Sequence, residues 1–249
     1  DFNNMLQGVS GGIELARRRI AQDRAGEAVT AFELMSELTV EIVARHAGGQ
    51  DPMQERHPWY ALIELAGSGH DGSLRPVLEG ILEEAFERGT LADAVVAESG
   101  AQYAALWRLR EGIPEAQKKE GGSIKHDVSV PVSRVPAFLR RAGEAAAEAL
   151  PGVRVCAFGH LGDGNIHYNL TQPLGMEKAA FMAEWERMNA IVHDIVAELG
   201  GSISAEHGIG LLKAGELRRY KDPVEMDLMR RMRDALDPGR LLNPGKMLG

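Results

Sequence analysis

A single cysteine, Cys156, among 249 residues excludes an internal disulfide and fits a reducing compartment, with a small buried strand position as the ordinary role for such a thiol. No run of about 18 apolar residues occurs, so no segment reads as a membrane-spanning helix. The start Asp1-Phe2-Asn3-Asn4 lacks the basic and apolar regions of a secretory signal, and it lacks Met, as expected of a fragment or a processed product. Positive charge is also scarce: 28 Lys and Arg stand against 36 Asp and Glu, a formal net charge of -8. That balance argues against a nucleic-acid surface, so an anionic ligand must be held by a local cationic pocket. No G-x-G-x-x-G fingerprint opens a βαβ unit, and there are no solenoid repeats or low-complexity tracts. What remains is ordinary for a globular chain: 44% hydrophobic residues, enough for a sizeable core. These features predict a soluble, cytoplasmic protein, with peripheral membrane association left open.

The hydrophobic pattern divides the chain. In residues 1–24, Met5, Val9, Ile13, Leu15, Ala16 and Ile20 recur at helical spacing and predict a helical leader. Beyond it the pattern predicts a helix over 30–47 stopped by Gly48-Gly49, a strand over 59–65, a helix over 74–88 and a short strand over 92–97. A helix over 100–119 follows, with Tyr103, Leu106, Trp107 and Arg110 on one side. Residues 124–132 alternate Lys125, Asp127 and Ser129 against Ile124, Val128 and Val130, the mark of a strand with one buried face. Helices are expected over 136–150, 176–199 and 222–236. Strands over 153–160 and 166–170 flank the turn signal Gly162-Asp163-Gly164-Asn165. The fold class expected is α+β, a largely antiparallel sheet with helices packed on one face. The domains expected are a leader over 1–24, a main domain over 25–222, and a C-terminal helix and tail over 223–249.

Three groups of residues carry candidate chemistry. If 162–165 form the hairpin loop, His160 faces His167 across the ladder, with Cβ atoms ~5 Å apart, a geometry for two imidazoles to share one metal ion. Asn169 joins the face of His167 and can offer an amide to a ligand. Farther along, Ser204-Ala205-Glu206-His207-Gly208 places a carboxylate and an imidazole in a glycine-flanked segment. Glu206 would complete a two-His, one-carboxylate set with open coordination positions, the pattern of a catalytic metal. His207 is then free to accept a proton. Arg110 and Lys125 could bind a carboxylate, the arginine through its bidentate fork. Singly, each residue has a plainer reading as a hydrogen-bonded or solvated side chain; the combination favours a site.

The ordered motifs Leu106-Trp107-Arg108-Leu109-Arg110-Glu111, Lys125-His126-Asp127-Val128-Ser129-Val130-Pro131, Gly159 to Asn169, Ser202 to Gly210 and Leu236 to Lys246 resemble the carboxy-terminal domain of FAD-linked oxidases. That family includes D-lactate dehydrogenases, the glycolate oxidase flavoprotein subunit and D-2-hydroxyglutarate dehydrogenase, and the resemblance covers roughly residues 30–249. It implies that His160, His167 and Glu206 hold a divalent metal, zinc by preference. It also implies that Arg110 and Lys125 hold a substrate carboxylate, and that Asn169 and His207 lie beside the reacting carbon. The tail around Asn243 and Lys246 looks like the segment that returns to the flavin domain, which makes those two the expected cofactor contacts. The FAD-binding domain itself is not in the sequence. Separately, Asp1 to Gln7 resembles the stretch after the phospho-accepting histidine of histidine-kinase dimerisation helices.

The resulting expectation is the substrate-binding portion of a FAD-dependent dehydrogenase of a D-2-hydroxy acid. Its partners would be the small acid, a FAD-binding domain in cis or in trans and an electron acceptor, with a homodimer allowed and no nucleic acid. A non-catalytic metal- and carboxylate-binding module, or an interaction protein driven by the leader, are the competing readings.

Overall fold

Six strands in the computed structural model, which describes residues 29–67 and 74–248, hydrogen-bond into one antiparallel sheet. They are β1 (Val29–Ser36), β2 (Trp59–Leu65), β3 (Ser123–Ile124), β4 (Asp127–Ser129), β5 (Arg154–His160) and β6 (Asn165–Thr171). The order is β2-β1-β5-β6-β3, with β4 also on β6. Ile124 pairs with Leu170 and Asp127 with His167, so β3 and β4 share one register and form a single strand interrupted at 125–126. The expected leader helix over 1–24 lies outside the described residues. Among those described, no helix is long and apolar enough to cross a membrane.

Nine helices are described: α1 (Glu37–His46), α2 (Leu74–Glu87), α3 (Gly100–Glu111), α4 (Ile113–Lys118), α5 (Val135–Ala149), α6 (Lys178–Ala183), α7 (Trp185–Glu198), α8 (Ala214–Tyr220) and α9 (Pro223–Leu236). Side chains alternate across a strand, and the two main apolar clusters follow that alternation. Leu34, Ala157, Ile166, Tyr168 and Leu170 meet Phe138, Leu139 and Ala142 of α5 and Met188, Val192 and Val196 of α7. Their strand neighbours Met35, Cys156 and Phe158 point the other way, into Val40 and Val43 of α1, Leu109 of α3 and Ile113 and Ala116 of α4. The α+β class and the antiparallel sheet agree with expectation, but helices cover both faces instead of one.

Other differences are local and have physical causes. The helix expected over 30–47 is a strand that turns into a helix at Ser36, where the backbone is extended and Thr39 Oγ1 donates to Ser36 O at 2.6 Å. Phe32, Leu34 and Met35 suit either period; pairing with β2 and β5 selects the strand. The helix expected over 100–119 breaks at Gly112, because Pro114 has no N–H to continue the ladder and begins a new helix. Residues 92–97 form no strand, and the helix over 176–199 divides at Glu184. The hairpin turn spans 161–164. Gly164 is required there: its φ is +78°, and a Cβ would lie 2.0 Å from Val130 O.

Candidate metal and carboxylate site

The face of the sheet carrying Met35 and Phe158 continues past the helices into a polar cluster. Glu33 of β1 stands beside His160 of β5, its ladder partner, and Phe158 two residues earlier stands opposite His167 of β6. His160 and His167 are therefore diagonal neighbours, not the directly opposed pair expected from the turn signal. The register differs by two residues, an even number, so both imidazoles keep the same face. Their ring centroids lie 6.4 Å apart.

Glu206 reaches both rings from the segment after α7. Its Oε1 is 3.3 Å from His160 Nε2 and its Oε2 is 3.5 Å from His167 Nε2. One ligand atom from each of the three lies within 4.8 Å of the others. The Glu206 side chain is 47% exposed, so one side of the trio is open to a ligand.

Asp127 holds that segment down. Ser129 and Ser202 exchange backbone hydrogen bonds of 3.0 and 2.8 Å, bringing the segment alongside β4. The buried Asp127 Oδ2 then accepts from Glu206 N at 2.9 Å and His207 N at 2.8 Å, while its Oδ1 lies 3.7 Å from His167 Nδ1. Burial would raise the Asp127 carboxyl, but the two backbone donors and the nearby imidazoles outweigh it and hold the group below its ordinary value. At His167 burial wins over the attraction of Asp127 and Glu206 and lowers the imidazole. A neutral imidazole is the form that binds a metal.

The cationic side is built through Glu33. Its Oε1 accepts from His160 Nδ1 at 2.7 Å and its Oε2 from Arg110 Nε at 2.7 Å. The Arg110 guanidinium lies over the Phe158 ring, 4.9 Å from the centroid. Asn169, buried on the His167 face, donates from Nδ2 to Gln117 Oε1 at 2.9 Å, and Gln117 Nε2 donates to Thr171 Oγ1 at 3.0 Å. Lys125 is exposed in the gap between β3 and β4 and has no ion pair among the described residues. The His207 side chain is 71% exposed, with Nδ1 3.9 Å from Asp127 Oδ2.

The expected site residues thus fall into three groups. His160, His167 and Glu206 meet, with Arg110 and His207 tied to them through Glu33 and Asp127. Asn169 and Lys125 lie on neighbouring stretches of the same sheet. Asn243 and Lys246 sit apart on the exposed tail, bonded to each other at 3.4 Å, although Met247 N donates to Gly210 O at 2.8 Å and ties that tail to the segment bearing Glu206. Sequence reasoning missed Glu33 and Gln117. A charged residue inside the apolar run Phe32 to Met35 was the available signal for Glu33, once that run is taken as a strand.

The donor set suits a divalent cation: two imidazole nitrogens, one carboxylate and two acids behind the rings. Asn243 and Lys246 are exposed on the tail, so toward a flavin they could offer contacts from one side only, with the rest of its cradle supplied by another domain.

The family model described as FAD linked oxidases, C-terminal domain, matches residues 15–247. D-2-hydroxyglutarate dehydrogenase of Xanthomonas citri pv. viticola is 40% identical over 224 residues, 90% of this chain and 47% of that protein. The mitochondrial D-2-hydroxyglutarate dehydrogenase of Arabidopsis thaliana is 35% identical over 233 residues, 92% of this chain and 39% of that protein. A putative mitochondrial D-lactate dehydrogenase of Schizosaccharomyces pombe is 31% identical over 230 residues, 88% of this chain and 42% of that protein. The chain spans less than half the length of each. Among solved structures, substrate-bound p-cresol methylhydroxylase is similar with a TM-score of 0.57 and 16% identity over 88% of this chain and 46% of that one, a likeness of fold.

Proposed function

The chain belongs to the FAD-linked oxidases, as their C-terminal domain, and from that premise we propose that it is the substrate- and metal-binding part of a dehydrogenase that oxidises a D-2-hydroxy acid to the 2-oxo acid. The observation that carries the reading is the convergence of His160, His167 and Glu206 on one open point, with Arg110 fixed beside it through Glu33.

Zinc is the cation of choice for two nitrogens and one carboxylate with room for an outside ligand. Bound there, it would act as a Lewis acid on the 2-hydroxyl and lower its pKa. Arg110 commits only Nε to Glu33, which leaves its terminal nitrogens to take the substrate carboxylate, with Lys125 as the second cation. His207 accepts the hydroxyl proton. It stands next to Glu206 with its ring exposed, and its backbone is held by Asp127. Asn169, fixed by Gln117, contributes an amide beside the reacting carbon.

The flavin supplies the hydride acceptor when bound, and most of its site belongs to a FAD-binding half joined in cis or in trans, with Asn243 and Lys246 as contacts from this side. Val224, Leu228 and Met232 of α9 recur every four residues as one exposed apolar stripe, and Leu241 and Leu242 of the tail are exposed beyond it; both features favour such a partner. An electron acceptor completes the turnover by re-oxidising the flavin.

The test is reconstitution. The chain is expressed with the FAD-binding half of a D-2-hydroxyglutarate dehydrogenase, loaded with zinc and assayed by dye reduction with D-2-hydroxyglutarate and D-lactate. Turnover that requires both halves and the metal is expected. Acid and metal binding without turnover in a flavin-loaded pair would instead favour the non-catalytic module.

A further inference from the structure

Glu33 touches both halves of the site. Its side chain is only 5% exposed, and each carboxylate oxygen has one partner at 2.7 Å: His160 Nδ1 for Oε1 and Arg110 Nε for Oε2. A ring nitrogen that close to a carboxylate oxygen carries the proton, so Nε2 of the neutral ring is left as the lone pair. That nitrogen is the one turned toward Glu206, at 3.3 Å. The same carboxylate engages the arginine by its inner nitrogen and so sets the direction of its two terminal nitrogens over the Phe158 ring. Among the described residues those terminal nitrogens make no hydrogen bond to another group, which leaves them for an anion.

We propose that Glu33 is a positioning residue that couples the two halves of the site. It fixes the tautomer of one metal-binding imidazole and the aim of the carboxylate-binding arginine, so that cation and acid assist one another's binding. This rests on the functional reading above and deepens it. A merely structural ion pair between Glu33 and Arg110 would stabilise the fold without governing the protonated nitrogen of His160 or linking the two ligands. A glutamine at this position puts an NH2 where one donor now meets an oxygen, so either the arginine contact is lost or His160 turns to the tautomer that accepts at Nδ1.

The test uses the full chain, labelled with nitrogen-15 in its imidazoles. In the metal-free protein at neutral pH, the His160 resonances should report a proton on Nδ1. In Glu33→Gln they should move toward a mixture of tautomers. Zinc affinity by chelator competition should fall at least tenfold per folded molecule. D-2-hydroxyglutarate should bind the zinc-loaded wild type more tightly than the metal-free chain, and Glu33→Gln should abolish that difference. A variant that loses thermal stability but keeps the His160 tautomer, the zinc affinity and the zinc-assisted binding of the acid would overturn the proposal. Should the variant fail to fold, the wild-type spectrum alone decides, since a proton found on Nε2 refutes it. No zinc uptake by the wild type would defeat the metal reading of the whole site; Glu33 would then be judged by the tautomer and by a tenfold loss of acid binding in the variant, either of which, if absent, also refutes its role.

Discussion

Asp127→Asn isolates the charge that holds the Glu206 segment in place. The substitution keeps the shape of the side chain and one carbonyl oxygen in reach of Glu206 N and His207 N, now at 2.9 and 2.8 Å from Oδ2. It removes the negative charge. Hydrogen bonds to a charged group contribute about 1.5–3 kcal/mol each and neutral ones about 0.5–1.5, so each of the two bonds weakens by about 1 kcal/mol. The sheet register does not depend on this side chain, because β4 is joined to β6 by backbone pairing of Asp127 with His167. The loss therefore falls on the order of residues 204–208, and through Glu206 on the cation. About 2 kcal/mol converts to a roughly 30-fold weaker metal affinity, since about 1.4 kcal/mol is a factor of ten. Zinc competition against a chromophoric chelator at pH 7 measures it, with circular dichroism and thermal unfolding establishing that the variant is folded. A folded Asp127→Asn chain that binds zinc within threefold of wild type would show that the bonds to the Glu206 segment do not organise the site.

Three further outcomes are expected. Burial would raise the Glu120 carboxyl, but hydrogen bonds from Arg154, His46 and Arg45 outweigh it and lower the group from 4.5 to about 2. Because the folded value is depressed, this stability is present above pH 4.5 and lost as pH falls toward 2; it amounts to about 3 kcal/mol, and urea unfolding of Glu120→Gln should show a correspondingly flatter dependence between pH 5 and 2, whereas an unchanged slope would contradict it. Tyr168 is fully buried with a hydroxyl that has no hydrogen-bond partner among the described residues, so Tyr168→Phe should be neutral or raise stability by about 1 kcal/mol in chemical denaturation; a clear loss would reveal a partner for that oxygen. In the reconstituted enzyme, His207→Ala should cut turnover by about 100-fold or more while metal content stays near wild type, and full turnover would remove it from the proton-accepting role.

The legible parts of this chain were the local ones. Gly162-Asp163-Gly164 marked the hairpin, and Glu206-His207 between glycines marked the second arm, because turns and short loops are written in neighbouring residues. The spacing placed the hairpin turn one position late and the ladder two residues out of register, yet His160 and His167 stayed on one face because side-chain direction repeats every two residues. Strand β1 was not legible. Phe32, Leu34 and Met35 lead without a break into the apolar face of α1, and only pairing with β2 and β5 separates strand from helix. Glu33 was lost with it, since its role is defined by His160, 127 positions away. The placement of helices on both faces was equally hidden, because it depends on which cluster each apolar stripe joins once the sheet exists.

Isothermal titration of zinc into the purified, metal-stripped chain, run beside a His160→Ala, His167→Ala variant of matched fold, addresses the cation site itself. Uptake of one ion per chain by the wild type and none by the variant is the expected result. Failure of the wild type to take up the ion, or equal uptake by both proteins, would contradict it.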